Sequence, residues 1–221
     1  MKGRRSRSIE GVWRWARTLR PAHVRGKALP RLFFFTDPVR TPDPEAVLGR
    51  LPRGAGVVYR AFGDPAAVDV GRRLVRAARR RGLIVLAGAD PDLATRIAAD
   101  GVHLPERLAG RARGIKRARP TWIVTAAAHS TAAVVAARRS GADAVFVSPV
   151  FVSASPSAGA PLGALRFAQV ARTARLPVFA LGGITTVTVR SLTHTGAVGV
   201  ATGNCVVGCP GAPVPMLAAV I

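Results

Sequence analysis

From residue 31 onward, short apolar runs alternate with longer stretches in which hydrophobic and basic residues mix. Eight runs recur: residues 32–35 (LFFF), 56–62 (GVVYRAF), 83–87 (LIVLA), 101–104 (GVHL), 122–125 (WIVT), 144–147 (AVFV), 177–181 (PVFAL) and 198–201 (VGVA). They are short, rich in β-branched or aromatic residues, and mostly continuous rather than alternating. Continuous apolar strands belong to parallel sheets buried on both faces. The connectors have helical period. Residues 65–81 place Val68, Leu74, Val75 and Ala78 on one side and arginines elsewhere. Asp90 is placed to cap the next helix, with Pro91 at its first position and Asp92 in its first turn. Leu93, Ile97 and Ala98 form its inner stripe. Ser130 or Thr131 caps the run through Arg139, and Gly141 ends it. Residues 165–173 and 186–195 read as the last two helices. Eight strand–helix pairs in series predict an α/β fold, a closed (β/α)8 TIM barrel. An open doubly wound sheet is the runner-up, disfavoured because no G-x-G-x-x-G follows the first strand.

Two of the runs end in glycine: Leu181-Gly182-Gly183 and, after the next strand, Thr202-Gly203. Glycines just past adjacent parallel strands bring bare backbone N–H groups close to a ligand, and an oxyanion suits such a spot. In an eight-fold barrel the loops after strands seven and eight are the usual phosphate site. Gly182, Gly183, Thr202 and Gly203 are therefore the candidate phosphate-binding residues. The competing reading is that the glycines only make tight turns.

The chain of 221 residues, 49% hydrophobic, suits one domain with a sizeable core. No apolar run approaches the roughly 20 residues that span a bilayer. The two cysteines, Cys205 and Cys209, have no further ligands near them for zinc, and a reducing cytoplasm is the simplest compartment. The net charge of +22 is extreme. Such a surface attracts nucleic acid or other anions without specificity. No RNA-binding aromatic signature or helix-turn-helix pattern accompanies it, so a solvated basic surface is favoured over a nucleic-acid function.

Residues 1–30 form a basic N-terminal extension to a barrel domain at 31–221. Within it, residues 9–19 (IEGVWRWARTL) have the pattern of a short amphipathic helix, and Pro21 and Pro30 bracket an expected linker. The extension lacks the apolar core of a secretory signal. A transit peptide, a free tail and a helix packed on the barrel all remain open. Near the other end, Pro210, Pro213 and Pro215 interrupt the expected eighth helix.

Several segments together resemble the thiamine phosphate synthases and the related thiazole tautomerases. Ala99-Asp100-Gly101-Val102-His103-Leu104 is similar to their ADGVHLGQ stretch. Residues 140–151 (SGADAVFVSPVF) are similar to GADYIGVGPIF, Pro161-Leu162-Gly163 to the PLG after the sixth loop, and residues 177–184 to PVVAIGGI. The resemblance implies a TIM barrel. It also implies a reaction in which hydroxymethylpyrimidine diphosphate loses pyrophosphate and a thiazole phosphate attacks the resulting carbocation-like centre. Magnesium and basic residues neutralise the departing diphosphate, and the barrels often associate as homo-oligomers. The catalysis is positioning plus charge stabilisation.

The departures thin the implied set. Q-L-R-x-K at strand two becomes Val58-Tyr59-Arg60-Ala61-Phe62-Gly63, leaving Arg60 as the cation. N-D after strand three falls on Gly88-Ala89. Asp90, one residue on, is a weak metal candidate. G-Q-x-D after strand four becomes Pro105-Glu106-Arg107-Leu108, where Glu106 is the second weak candidate. T-x-T-K in loop six becomes Ser153-Ala154-Ser155-Pro156, so Ser153 and Ser155 keep hydroxyls without the lysine. His129 falls on the acid/base histidine of the tautomerases, and imidazole suits proton transfer near neutral pH. His103 is assigned a structural place in strand four. By resemblance the catalytic set is Arg60, His129, Ser153 and Ser155. The leading expectation is a divergent synthase acting on phosphorylated thiazole and pyrimidine compounds. The alternatives are a tautomerase-like isomerase and a barrel that binds phosphate ligands without turnover.

Overall fold

The computed structural model describes residues 9–153 and 159–203. Eight parallel strands close on one another: β1 (Leu32–Phe35), β2 (Gly56–Tyr59), β3 (Ile84–Gly88), β4 (Gly101–Leu104), β5 (Ile123–Ala128), β6 (Ala144–Val147), β7 (Val178–Leu181) and β8 (Gly199–Thr202). β8 pairs with β1 in register Val200–Leu32, Ala201–Phe33 and Thr202–Phe34, which seals the barrel. Each apolar run predicted from the sequence overlaps one of these strands; β3, β5 and β8 run one to three residues past the predicted end.

The runs look continuous because both faces are buried, yet side chains still alternate with period two. Phe33, Phe35, Val58, Leu86, Ile123, Phe146, Phe179 and Ala201 point inward and form one cluster. Four phenylalanine rings fill the barrel beside Val58, Leu86 and Ile123. Phe33 meets Phe146 and Phe179 edge-on at 5.1 and 5.3 Å, and Phe146 stacks on Phe179 at 4.8 Å. Rings of that size need small neighbours. A side chain at Gly56 would enter the Phe33 ring, and one at Gly199 would meet Phe179 Cδ1 at 2.7 Å.

The outer layer contains α2 (Pro44–Leu48), α3 (Ala67–Arg80), α4 (Pro91–Arg96), α5 (Ala112–Ala118), α6 (Thr131–Arg139) and α7 (Gly163–Thr173). Asp90 caps α4 by accepting the Asp92 and Leu93 N–H groups, and Ser130 caps α6 through the Ala133 N–H at 3.1 Å. Gly141 follows α6 with φ +85°, the left-handed turn expected of a C-terminal glycine. The helix read at 186–195 is instead a 3₁₀ turn, Thr188–Leu192. Its threonines explain the difference. Thr188 Oγ1 accepts the Thr185 N–H and donates to Gly183 O, so side chains take backbone partners that a helix would use. Ala98, placed on the inner stripe by periodicity, is exposed with φ +55°, because α4 stops at Arg96.

The segment before β1 is part of the barrel rather than a linker. His23–Val24 and Lys27–Ala28 pair as a small antiparallel hairpin. Ala22, Val24 and Leu29 pack against the inward cluster and close the end of the barrel where the strands begin. Ahead of it, α1 (Ile9–Ala16) buries Val12 and Ala16 completely, in the same cluster as Leu32 of β1 and Val200 of β8. Trp15 Nε1 donates to Thr193 Oγ1 at 3.2 Å on one side, and Trp13 lies beside Leu51 and Pro52 on the other. α1 thus covers the β8–β1 seam, the place of an eighth outer helix. Deleting residues 1–20 is expected to cost roughly 3 kcal/mol or more, from the apolar area uncovered. Thermal unfolding should then fall by about 10 °C, and an unchanged midpoint would show that α1 is dispensable.

Charge is sorted between the two ends. Asp37, Asp43, Asp64, Asp90 and Glu106 all follow strand ends on one side. Helix-terminal bases lie on the other side and tie neighbouring turns together. Arg79 donates to Ala98 O at 2.6 Å, Arg113 to Arg139 O at 2.7 Å, and Lys116 to the buried Asp143. Arg72, Arg79, Arg81, Arg113 and Lys116 thereby satisfy carbonyls that helix C-termini leave open.

Candidate active site

The candidate residues that the structure describes all lie just past strand C-termini, on the face where barrels of this kind place their chemistry. Ser155 lies outside the described residues. Arg60 follows β2 and lies down over the barrel mouth. Its Nε donates to Thr36 O at 2.6 Å, and its backbone N–H donates to Thr36 Oγ1 at 2.9 Å. Its guanidinium carbon sits 5.7 Å from the Phe35 ring centre and 5.3 Å from that of the exposed Phe62. Gly88, at the end of β3, makes room for this pose: a Cβ there would stand 2.9 Å from Arg60 Cγ. Burial lowers the Arg60 pKa, and the Asp37 charge opposes that shift.

Asp37 follows β1. Its Oδ1 accepts the backbone N–H groups of Val39 and Arg40 at 3.2 and 3.1 Å. Its Oδ2 pairs with Arg40 Nη2 at 2.9 Å and with Arg60 Nη2 at 3.5 Å. Burial pushes this carboxyl up, but the bonds from Arg40 and the charges of Arg40 and Arg60 outweigh it and hold the group below its usual range. Sequence reasoning missed Asp37 and Arg40. The signal available was an acid two residues past a strand with an arginine three further on.

At the end of β7, next to the β8–β1 seam, Gly182 and Gly183 take φ +91° and +66°. Both are pressed against the loop after β6. A Cβ on Gly182 would stand 2.8 Å from Pro149 Cα, and one on Gly183 would stand 2.7 Å from Phe151 Cβ. That loop extends the ladder, with Val150 N–H bonded to Leu181 O and Phe151 N–H to Gly182 O. Ser153, half-buried, ends its described part. Gly203 differs from the pair. Its φ is not positive, and a Cβ would meet only Phe35 O at 3.5 Å. Thr202 beside it is buried.

His129 follows β5, and Glu106 follows β4. His129 Nδ1 lies 2.6 Å from Ser148 O. A carbonyl only accepts, so Nδ1 carries the proton and Nε2 is the nitrogen left to act on a ligand. Glu106 Oε2 accepts the His129 backbone N–H at 2.7 Å.

The family model and the curated relatives point to one family. A family model described as thiamine monophosphate synthase matches residues 33–206. The chain belongs to the thiamine monophosphate synthase family. It is 32% identical over 175 residues to a thiamine-phosphate synthase of a Roseiflexus species (strain RS-1), covering 75% of this chain and 72% of that one. It is 34% identical over 147 residues to the thiamine biosynthesis bifunctional protein ThiM/ThiE of Symbiobacterium thermophilum, covering 66% of this chain and 31% of that longer protein. Among solved structures, thiamine phosphate pyrophosphorylase from Pyrococcus furiosus superposes with a TM-score of 0.65 at 23% identity. That match covers 77% of this chain and 84% of the other, and it shows the shared fold.

Within this synthase-family barrel the described residues do not fit an all-protein magnesium cage. Among the described residues no three His, Cys, Asp or Glu side chains gather within reach of one ion. Asp90 spends Oδ1 on capping α4, and Glu106 spends Oε2 on the His129 loop. Glu106→Gln keeps an acceptor for the His129 N–H and is expected to retain most activity. Glu106→Ala removes it and should cost about tenfold in turnover, the scale of one hydrogen bond to a charged group. Equal loss in both variants, with a changed metal requirement, would return Glu106 to the metal.

Apolar side chains also stand at the mouth. Among the described residues the exposed large hydrophobics are Val39, Phe62, Val152, Leu165 and Val187, all on loops or first turns that follow strand ends. A cavity of about 200 Å³ lined by Lys27, Asp100, Trp122 and Ile123 lies at the opposite end, beneath the hairpin. It contains none of the residues above. No helix among the described residues is long and apolar enough to cross a membrane.

Proposed function

We propose that this chain joins hydroxymethylpyrimidine diphosphate to thiazole phosphate, releasing pyrophosphate and forming thiamine phosphate. The observation that carries the reading is a mouth with two kinds of anion-binding chemistry: the guanidiniums of Arg60 and Arg40 about Asp37, after β1 and β2, and the glycine-bearing ends of β7 and β8 at Gly182, Gly183, Thr202 and Gly203. Because β8 pairs with β1, the two sets adjoin at that seam. A reaction between a diphosphate ester and a phosphate monoester needs two such sets within reach of one another. The apolar side chains at the mouth and the Phe35 floor suit flat heterocycles.

In the step proposed, the carbon–oxygen bond between the pyrimidine methylene and the diphosphate breaks, and the electron pair leaves with the diphosphate. The thiazole nitrogen supplies the lone pair for the new carbon–nitrogen bond. Arg60 stabilises the charge that grows on the leaving oxygen, and the glycine N–H groups hold the thiazole phosphate in line. Ser153 and Ser155 would donate further hydrogen bonds to the diphosphate. Family membership supports the substrate pair. The test is to incubate the full chain with both substrates and look for thiamine phosphate by mass. Saturable binding of both substrates with no product would reject the reading.

A second reading, isomerisation of a thiazole carboxylate phosphate, is favoured by His129, whose tautomer leaves Nε2 as a base. It calls for the monophosphate site alone. Isomerase activity abolished by His129→Gln would support it.

A further inference from the structure

We propose that Arg40 and Arg60, bridged by Asp37, neutralise the departing diphosphate in the role that a magnesium ion would otherwise fill. The inference rests on the synthase reading and deepens it.

Three observations lead to it. First, the two candidate metal carboxylates do not gather about one point, and each gives one oxygen to another task, Asp90 to a helix cap and Glu106 to the His129 loop. Second, the floor beside β3 is taken by a cation. Gly88 offers no side chain, and the Arg60 stem fills the space over it. The groups facing that guanidinium are Phe35, Phe62, Asp37, Arg40 and, below it, His103. His103 is neutral there, so Asp37 is the single anion in that set. Two guanidiniums and one carboxylate leave that cluster with a net positive charge.

Third, the pair is held in place before any ligand arrives. Asp37 is locked by two backbone N–H groups and grips both arginines, while Thr36 O and two aromatic rings fix Arg60. Guanidinium forks match phosphate oxygens bidentately, and a fixed fork loses little entropy on binding. Preorganised positive charge in a partly desolvated mouth is what a leaving diphosphate requires. The bonds that break and form are those given above; no oxidant, reductant or further reactant enters.

The experiment is a calorimetric titration of the full chain with inorganic pyrophosphate, first in EDTA and then in magnesium. The variants are Arg40→Gln, Arg60→Gln and Arg60→Lys. Affinity in EDTA is expected to stay within a few-fold of that in magnesium. Each Gln variant should weaken it by roughly tenfold to a hundredfold, the scale of a charge-assisted hydrogen bond. Arg60→Lys, which keeps the charge but loses the fork, should fall between. Thermal unfolding without ligand checks that each variant is folded, and Arg40→Gln, farther from the barrel floor, carries the test if Arg60 variants unfold. Binding that vanishes in EDTA, or that survives in both Gln variants, overturns the inference. Product formation with and without EDTA reads the synthase proposal separately. Product that appears only with magnesium would keep the synthase and reject the arginine pair.

Discussion

Gly183→Ala is expected to lower stability by about 2–5 kcal/mol and to abolish phosphate binding with it. Two costs add. An L-residue at φ +66° occupies the left-handed region at about 1–2 kcal/mol. The new Cβ also stands 2.7 Å from Phe151 Cβ and 2.8 Å from the Phe151 carbonyl carbon, and overpacking against backbone costs about 1–3 kcal/mol. Neither neighbour is the free end of a flexible chain, so the loop after β6 must move, and Ser153 moves with it. Gly203→Ala makes the contrast. Its Cβ is in ordinary contact at 3.5 Å, so unfolding should shift by under about 1 kcal/mol. If a phosphate approaches that backbone, binding should still be lost. Urea unfolding and thiazole phosphate titration on both variants separate the glycine that builds the site from the glycine that receives the ligand. Intact loop packing and wild-type stability in Gly183→Ala would refute the steric account.

The sequence pattern carried the barrel because each strand is short, apolar and followed by a signal of its own. The run at 101–104 matches β4 residue for residue, and Asp90 and Ser130 cap the helices they were expected to cap. Elements without local signals were harder. The hairpin at 23–28 has two-residue strands and no alternation to read; its place comes from Leu29 entering the barrel end. The amphipathic pattern of α1 was visible, but its partners were not. Val12 shares a buried cluster with Leu32 and Val200, which the closure of β8 on β1 brings together. Helices α2 and α5 were implied by the strand–helix series but given no bounds: the first is five residues long, and the second is seven residues of which three are basic.

The same division holds at the site. Single residues at strand ends could be named, since strand ends on one face of a barrel converge. Pairings could not. Nothing local says that Glu106 reaches the His129 N–H, or that Asp37 joins arginines from two different loops. These are contacts across 23 residues of sequence, made by the closure of neighbouring strands. The glycine pair was read as a phosphate cradle or a tight turn, and its close approach to loop six appears only in three dimensions.

Acid should unfold this protein through His103. The residue is 7% exposed, inside the barrel, with Nδ1 3.0 Å from Thr125 Oγ1 and its ring edge-on to Phe35 and Phe146. Burial, and after it the charge of Arg60, pushes its pKa from 6.5 down to about 3. A histidine with a depressed folded pKa is neutral in the fold and protonates first in the unfolded chain. Its contribution is therefore fully present above pH 6.5 and is lost progressively as pH falls toward 3. The slope approaches about 1.4 kcal/mol per pH unit inside that window, against a total stability of roughly 5–15 kcal/mol for a natural domain. Replacing His103 with Leu leaves Thr125 Oγ1 buried without this partner, so the variant should be less stable by about 1–3 kcal/mol at pH 7. It has no imidazole to protonate, however, and should lose less on acidification. The carboxylates titrate alike in both proteins and cancel in the difference. Urea unfolding at pH 7, 5.5 and 4.5 should therefore show the two stability curves converging as pH falls. Parallel curves would mean that His103 protonates in the fold as readily as in the open chain, and that the aromatic interior does not exclude its charge.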